Sequence, residues 1–218
     1  MTGRIEIDLF TTLDGVSQAP GGPDEDRDGG FAFGGWQAPF DDDEIGADVM
    51  AGIGRLDALL LGRKTYDIFA SYWPHHLDGP EGEIGRTFDE VPKYVASRHR
   101  PELTWRGARL LDDDPGSGGS GRTSVLAGQV AALRERHREV HVIGSIDFAR
   151  SLVADNLFDR LTLWVFPIVL GAGKRLFPDD GPANRLTLLE PAVSTPAGIL
   201  ILRYGPTGET PATGDMTR

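Results

Sequence analysis

The chain of 218 residues contains no cysteine. That excludes a disulfide framework, thiolate chemistry and any cysteine-ligated zinc or iron–sulfur centre. Positive charge is scarce: 22 Lys and Arg stand against 33 Asp and Glu, for a net charge of −11. A nucleic-acid surface needs a basic footprint, so nucleic acid is not an expected partner. No apolar run is long enough to span a bilayer, so no membrane is expected either. The start, Met1 to Asp8, alternates like a strand and has no signal-peptide core. The expectation is a soluble cytoplasmic protein. Neither a P-loop nor a Gly-x-Ser-x-Gly nucleophile turn occurs.

What the chain does have is a pair of strand–glycine–helix junctions. Leu59-Leu60-Leu61-Gly62-Arg63-Lys64-Thr65-Tyr66 is one and Val140-His141-Val142-Ile143-Gly144-Ser145-Ile146 the other. In each, a short apolar run ends in glycine and a helical pattern follows. The glycine permits close approach of a ligand, and the helix start offers N–H groups and a positive dipole end suited to phosphate. Two such junctions on one sheet suit the two halves of a dinucleotide. A single one is often purely structural. Local basic clusters at Arg63-Lys64 and Ser97-Arg98-His99-Arg100 stand out against the acidic background. They read either as anion contacts or as solvated loop charge.

Along the chain, strands are expected at Arg4 to Phe10, Ala58 to Leu61, Lys93 to Ala96, Glu139 to Ile143 and Arg160 to Phe166. Leu186 to Leu189 and Ile199 to Tyr204 read as a closing antiparallel pair. Helices are expected at Asp43 to Arg55, Thr65 to Tyr72, Ile84 to Glu90, Val125 to Arg136 and Ile146 to Ala154, with Asp41 or Asp42 as cap of the first. The stretch from Thr11 to Phe40 is rich in Gly, Pro and Asp. Its aromatics Phe31, Phe33, Trp36 and Phe40 suggest a loop that folds over something. Asp112 to Gly121 resembles a flexible linker but is read as a loop within one domain. Residues 1–204 form that domain and 205–218 a disordered tail. The order of elements gives an α/β fold, a mostly parallel sheet with helices on its faces and an antiparallel hairpin at one edge. Ligands of such sheets sit at the strands' carboxyl ends, where both junctions lie.

Four segments in order carry a family resemblance. They are Thr12-Leu13-Asp14-Gly15-Val16, Leu61-Gly62-Arg63-Lys64-Thr65-Tyr66-Asp67, Val142-Ile143-Gly144-Ser145, and Phe166-Pro167-Ile168-Val169-Leu170-Gly171-Ala172-Gly173-Lys174-Arg175-Leu176-Phe177. Together the chain resembles the dihydrofolate-reductase-like superfamily. Within it, the similarity is to stand-alone proteins like the reductase half of the bifunctional riboflavin-pathway deaminase–reductase. The resemblance implies a three-layer fold and NADPH as hydride donor. Gly62, Arg63, Lys64 and Thr65 would meet the cofactor's phosphates, and Ser97 and Arg98 the adenosine 2′-phosphate, a contact to which a planar guanidinium is suited. Gly144, Ser145 and Ile146 would hold the pyrophosphate and nicotinamide side. Asp14 and Gly15 would start the covering loop, and Val169, Leu170 and Gly171 would line the pocket. Such relatives are often homodimers.

Hydride transfer needs alignment, exclusion of water and a proton. Trp36-Gln37-Ala38-Pro39-Phe40-Asp41 resembles the family stretch that carries an acid, so Asp41 is the candidate donor; Asp43, Glu44 and Asp48 on the same helix are rivals. Trp36 would stack on the substrate or close the lid. Lys174-Arg175 reads as an anion contact or as a solvated turn. His75-His76 lacks a supporting cluster, and no metal is expected. The expected function is NADPH-dependent reduction of a small heterocyclic, carbonyl or imine substrate. The alternatives are a non-catalytic ligand-binding or dimerising module and a flavin in the same cleft.

Overall fold

In the computed structural model, residues 2–113 and 122–216 are described. The elements are β1 Arg4–Thr12, α1 Asp43–Ile53, β2 Ala58–Gly62, α2 Arg63–Tyr72, α3 Gly82–Glu90, β3 Lys93–Ala96 and β4 Ala108–Leu110. They continue with α4 Arg122–Arg136, β5 Glu139–Val142, α5 Ile146–Ala154, β6 Arg160–Phe166, β7 Leu186–Leu188, β8 Val193–Ser194 and β9 Leu200–Pro206. One sheet runs β4-β3-β2-β5-β1-β6-β9-β7, with β8 also on β9. The pairs from β4 to β6 are parallel, and β9 runs antiparallel to β6, β7 and β8.

The alternation of side chains across a strand explains the layers. In β2, Ala58 and Leu60 join Val130 and Leu133 of α4 and Leu152 and Val153 of α5 in one cluster. Leu59 and Leu61 face the other way, onto Ile53 of α1, Tyr66 of α2 and Phe88 of α3. Helices therefore cover both faces, and every residue of β2 is buried. Each of these leucines contributes about 1.5–3 kcal/mol by burial.

The observed elements follow the expected ones closely, with two strands missed. β4 is three residues long and β8 two, too short for a periodic pattern to register. The linker-like run from Asp112 lies outside the described residues from 114 onward. At the carboxyl end, residues expected to trail away still bond the sheet: Arg185 N–H donates to Glu209 O at 3.3 Å and Thr207 N–H to Arg185 O at 3.2 Å. Among the described residues, no helix is long and apolar enough to cross a membrane.

The long segment after β1 does fold over the sheet. Phe31 and Trp36 are buried with Trp164, Phe166 and Ile199 in a separate cluster, and Phe40 packs against it. Buried Gln18 anchors this loop. Its side-chain amide donates to Asp26 O and Asp28 O, both at 3.1 Å, and accepts from Lys174 N–H at 3.0 Å.

Candidate functional site

β2 and β5 are neighbours, so the two glycine junctions meet. Gly62 N–H donates to Gly144 O at 3.1 Å. A Cβ on Gly62 would lie 2.0 Å from Ser145 Oγ and 2.8 Å from Ser145 N. Gly144 has φ +115°, and its Cβ would lie 2.7 Å from Thr65 Oγ1. The Gly144–Ser145 peptide is cis. The glycines thus serve the packing of one junction on the other. Neither Gly62 nor Ser145 gives its helix a side-chain cap, whereas Asp42 caps α1 by accepting from the N–H groups of Glu44 and Ile45. The starts of α2 and α5 keep the anion-binding character of helix N-termini.

Over these carboxyl ends lies a cavity of about 640 Å³. Ile45, Val49 and Met50 of α1 form one wall, and Lys64, Thr65 and Ile68 of α2 another. The second junction contributes Gly144, Ser145 and Ile146. Asp8, Phe10, His141 and Trp164 make the floor, and residues 19–28 of the long loop close the side.

The loop brings two carboxylates onto two lysines. Asp26 lies 2.6 Å from Lys64 Nζ and 2.8 Å from Lys174 Nζ; Asp28 lies 2.5 and 2.7 Å from the same nitrogens. Hydrogen bonds from Lys174 and Lys64 hold the Asp28 carboxyl down at about 2. Burial pushes Asp26 up, but the same two lysines outweigh it and its pKa falls. Burial likewise opposes the charge of Lys174, and the two aspartates more than reverse that.

The floor holds a buried ionic network. Asp8 and Glu6 of β1 and Glu139 and His141 of β5 share one face of the sheet. His141 is 2% exposed. Its Nδ1 lies 2.5 Å from Asp8 Oδ2 and its Nε2 lies 3.3 Å from Glu139 Oε1 and 3.8 Å from Glu6 Oε2. Burial alone would lower the His141 pKa; the carboxylates of Asp8, Glu139 and Glu6 overcome it and raise it to about 9. Arg55 pairs with Glu6 and Glu139, and Arg160 with Glu6. Three cations thus balance three anions. Donor atoms of Glu6, Asp8 and His141 lie within 4.8 Å of one another, a spacing also found in metal sites. Here both ring nitrogens already face carboxylates, as befits an imidazolium rather than a ligand.

Of the residues expected at the site, the structure brings Lys64, Thr65, Gly144, Ser145, Ile146 and Asp41 to the cavity. The others lie outside its lining. Gly62 is buried against Ser145, and Arg63 turns to Asp67 at 2.7 Å along its own helix. Trp36 is a packing residue, with its indole N–H on Gln18 O at 2.8 Å and its ring edge-on to Phe166. Asp14 ties two turns together, accepting from Thr12 Oγ1 at 2.6 Å, Leu170 N–H at 3.2 Å and Gly171 N–H at 2.8 Å. Gly15, φ +80°, completes that turn, and Arg175 clamps it from the other side by donating to Asp14 O at 2.8 Å. Leu170 and Gly171 therefore belong to a turn staple, and Val169 is exposed. Ser97 and Arg98 stand past the end of β3, Arg98 in solvent. Among the rival acids, Asp48 is committed to Trp164 Nε1 at 2.8 Å and to Arg203.

Sequence reasoning missed Asp8 and His141. The alternation Ile5-Glu6-Ile7-Asp8-Leu9 reads as a strand with one solvated face. β1 is instead central, and α1 covers the acidic face. The usable signal was the second alternation, Glu139-Val140-His141-Val142, which sets a histidine beside those acids once β1 and β5 pair.

Fold and cavity together define an α/β protein with a cavity at the carboxyl ends of parallel strands, under a long loop. The family follows from comparison with known proteins: the chain belongs to the RibD C-terminal domain family, whose profile matches residues 4–198. The resemblance seen in the four motifs is thereby borne out, and the domain is reductase-like and related to the riboflavin pathway. The uncharacterized protein YyaP of Bacillus subtilis (strain 168) is 26% identical over 182 residues, 81% of each chain. Among solved structures, a putative riboflavin biosynthesis protein from Shewanella sp. PV-4 superposes with a TM-score of 0.65 at 19% identity, covering 94% of this chain and 99% of that one. A pyrimidine reductase-like protein from Corynebacterium diphtheriae gives 0.57 at 16% identity, covering 94% and 92%. Acinetobacter baumannii RibD gives 0.58 at 14% identity, with 94% of this chain on 58% of that longer one. These likenesses bear out the mostly parallel sheet with antiparallel strands near the carboxyl end.

Proposed function

We propose that the protein reduces a small heterocyclic, carbonyl or imine substrate with NADPH as hydride donor. The observation that carries this reading is a shared cavity lined by residues of both glycine junctions, in a chain of a reductase-like family. The residues fit a dinucleotide. Two helix starts without side-chain caps, together with Lys64, Thr65 and Ser145, suit a pyrophosphate. Arg98, exposed beyond β3, is available to an adenosine 2′-phosphate. When bound, the reduced nicotinamide supplies the hydride. The chain's own part is to align the substrate between the α1 wall and the floor, exclude water beneath the loop and manage one proton. Asp41, the acid expected from the sequence, stands exposed among the lining residues.

The reading is tested by titrating the protein with NADPH and with NADH and following tryptophan fluorescence, since Trp73 and Trp164 line the cavity. Saturable quenching that favours NADPH supports it. Arg98→Ala should weaken NADPH far more than NADH; equal losses refute the 2′-phosphate role. One observation favours a second reading, a non-catalytic binding module: Lys64 and Lys174 are already neutralised by Asp26 and Asp28. Tight cofactor binding with no oxidation by a broad panel of pterins, imines and carbonyls would support that module instead.

A further inference from the structure

We propose that Asp8 and His141 form the proton-donating dyad of this reduction, Asp8 meeting the substrate and His141 acting behind it as the positioning residue that stores the proton. The inference rests on the reductase reading and names the proton source that reading requires.

Asp8 is the carboxylate of the floor. Its side chain is 11% exposed, at the cavity, and Phe10 follows it on the same face of β1. Behind it the imidazole is 2% exposed, and its Nδ1 lies 2.5 Å from Asp8 Oδ2. The Nδ1 proton of the ring thus faces Asp8, and passing it to that carboxylate carries it toward the cavity. The groups facing His141 are Glu6 and Asp8 from β1 and Glu139 from its own strand, with Arg55 and Arg160 balancing the acids. From α1, Gly52 packs against the ring, a Cβ there lying 3.8 Å from His141 Cε1, and brings no charge. This surrounding keeps the ring protonated at neutral pH, as its raised pKa reflects.

The other lining acids are engaged elsewhere. Glu25 accepts from the N–H groups of Gly21 and Gly22, and Asp26 and Asp28 hold the lysines. Asp42 caps α1, Glu81 binds Tyr72 and Asp147 pairs with Arg150. Asp41 lies at the mouth, in solvent. Among the described lining residues, Asp8 alone faces the interior with a proton reservoir attached.

The carbon of the substrate's C=N or C=O bond would take the hydride that a bound reduced nicotinamide cofactor supplies, and the π pair would move to nitrogen or oxygen. That atom takes a proton from the Asp8 carboxyl as the Nδ1 proton of His141 crosses to Asp8. The products are the reduced substrate, the oxidised cofactor and a neutral imidazole. A proton from water returns through Asp8 when the cavity opens.

The test compares two probes: a cyclic imine such as 2-methyl-1-pyrroline, which needs hydride and proton, and its N-methyl iminium salt, which needs hydride alone. Asp8→Asn and His141→Gln should slow the imine on the order of 100-fold more than the iminium, the scale of general acid catalysis. Asp41→Asn should slow both alike or neither. In parallel, NMR of the histidine rings should show one ring titrating near 9 that is missing in His141→Gln and moves downward in Asp8→Asn. Where His141→Gln fails to fold, Asp8→Asn carries both readouts. Equal slowing of the two probes, or a His141 ring titrating at the ordinary histidine value, overturns the dyad alone. If the wild-type protein binds the cofactor but reduces neither probe class, the reductase reading fails and the dyad with it.

Discussion

Replacing His141 with glutamine should remove most of the pH dependence of stability between pH 6.5 and 8. In the folded chain the ring pKa is raised from 6.5 to about 9. A group raised in this way binds more protons folded than unfolded. Its stabilisation is full below the unfolded value and is lost as pH climbs through the folded one. The whole shift corresponds to roughly 3 kcal/mol. Lys93 acts in the opposite sense at higher pH. Burial lowers its pKa to about 8, against the pull of Asp89, so stability gains from it as pH rises from there toward the unfolded value. The window from 6.5 to 8 is therefore dominated by His141, with a small opposing contribution from Lys93 near its upper end, and over it the wild-type protein should lose about 1 kcal/mol. Urea unfolding at the two pH values, followed by tryptophan fluorescence, measures this directly. His141→Gln should be less stable throughout, by about 3–5 kcal/mol, because three carboxylates lose a buried counter-charge. Its stability should nevertheless no longer fall with pH over the window, rising only slightly toward pH 8 as Lys93 begins to titrate. A variant that keeps the wild-type slope would refute the claim that His141 carries the buried charge.

Further outcomes follow from the same geometry. Gly62→Ala should cost about 1–3 kcal/mol, since its methyl would sit 2.0 Å from Ser145 Oγ; adding Ser145→Ala should restore only part, because Ser145 N is also in the way at 2.8 Å. Thermal unfolding of the single and double variants checks this. Asp14→Ala should cost about 2 kcal/mol by orphaning the Leu170 and Gly171 N–H groups. Hydrogen bonds from Thr12, Gly171 and Leu170 overcome burial and hold its pKa at about 2, so that contribution is present above about pH 4 and lost as pH falls through 2, which an acid titration of wild type and variant would show. The double variant Asp26→Asn, Asp28→Asn should tighten pyrophosphate binding on the order of 10-fold, by freeing Lys64 and Lys174 and removing like charge. Calorimetry showing unchanged or weaker binding would mean that the loop carboxylates do not compete for the anion site.

The sheet was legible because its strands are short apolar runs ending in turn signals. Arg160 to Phe166, Lys93 to Ala96 and the helix Ile146 to Ala154 coincide with the observed elements. The cap of α1 was expected at Asp41 or Asp42 from their place before the helical pattern, and Asp42 supplies it. The site was half legible. A junction motif announces a backbone shape, so Lys64, Thr65, Gly144, Ser145 and Ile146 reach the cavity as expected. A motif does not say which of its residues faces the ligand and which faces its twin, and for that reason Gly62 was misplaced. Trp36 and the turn at 169–171 were read as pocket residues because a loop aromatic and a glycine turn carry no sign of direction. Asp8 and His141 lie 133 positions apart and meet only through the pairing of β1 with β5. Single-strand periodicity cannot show which face of a central strand a helix will cover.

The central claim, that the cavity receives a reduced nicotinamide dinucleotide and passes its hydride to a bound substrate, is tested most directly by isotope transfer. The wild-type protein would be incubated with NADPH deuterated at the transferring carbon and with the imine and carbonyl panel, and the products read by mass spectrometry. The expected product carries deuterium on carbon and forms faster than with deuterated NADH. Cofactor bound but unconsumed across the panel, or a product without deuterium, would contradict the claim.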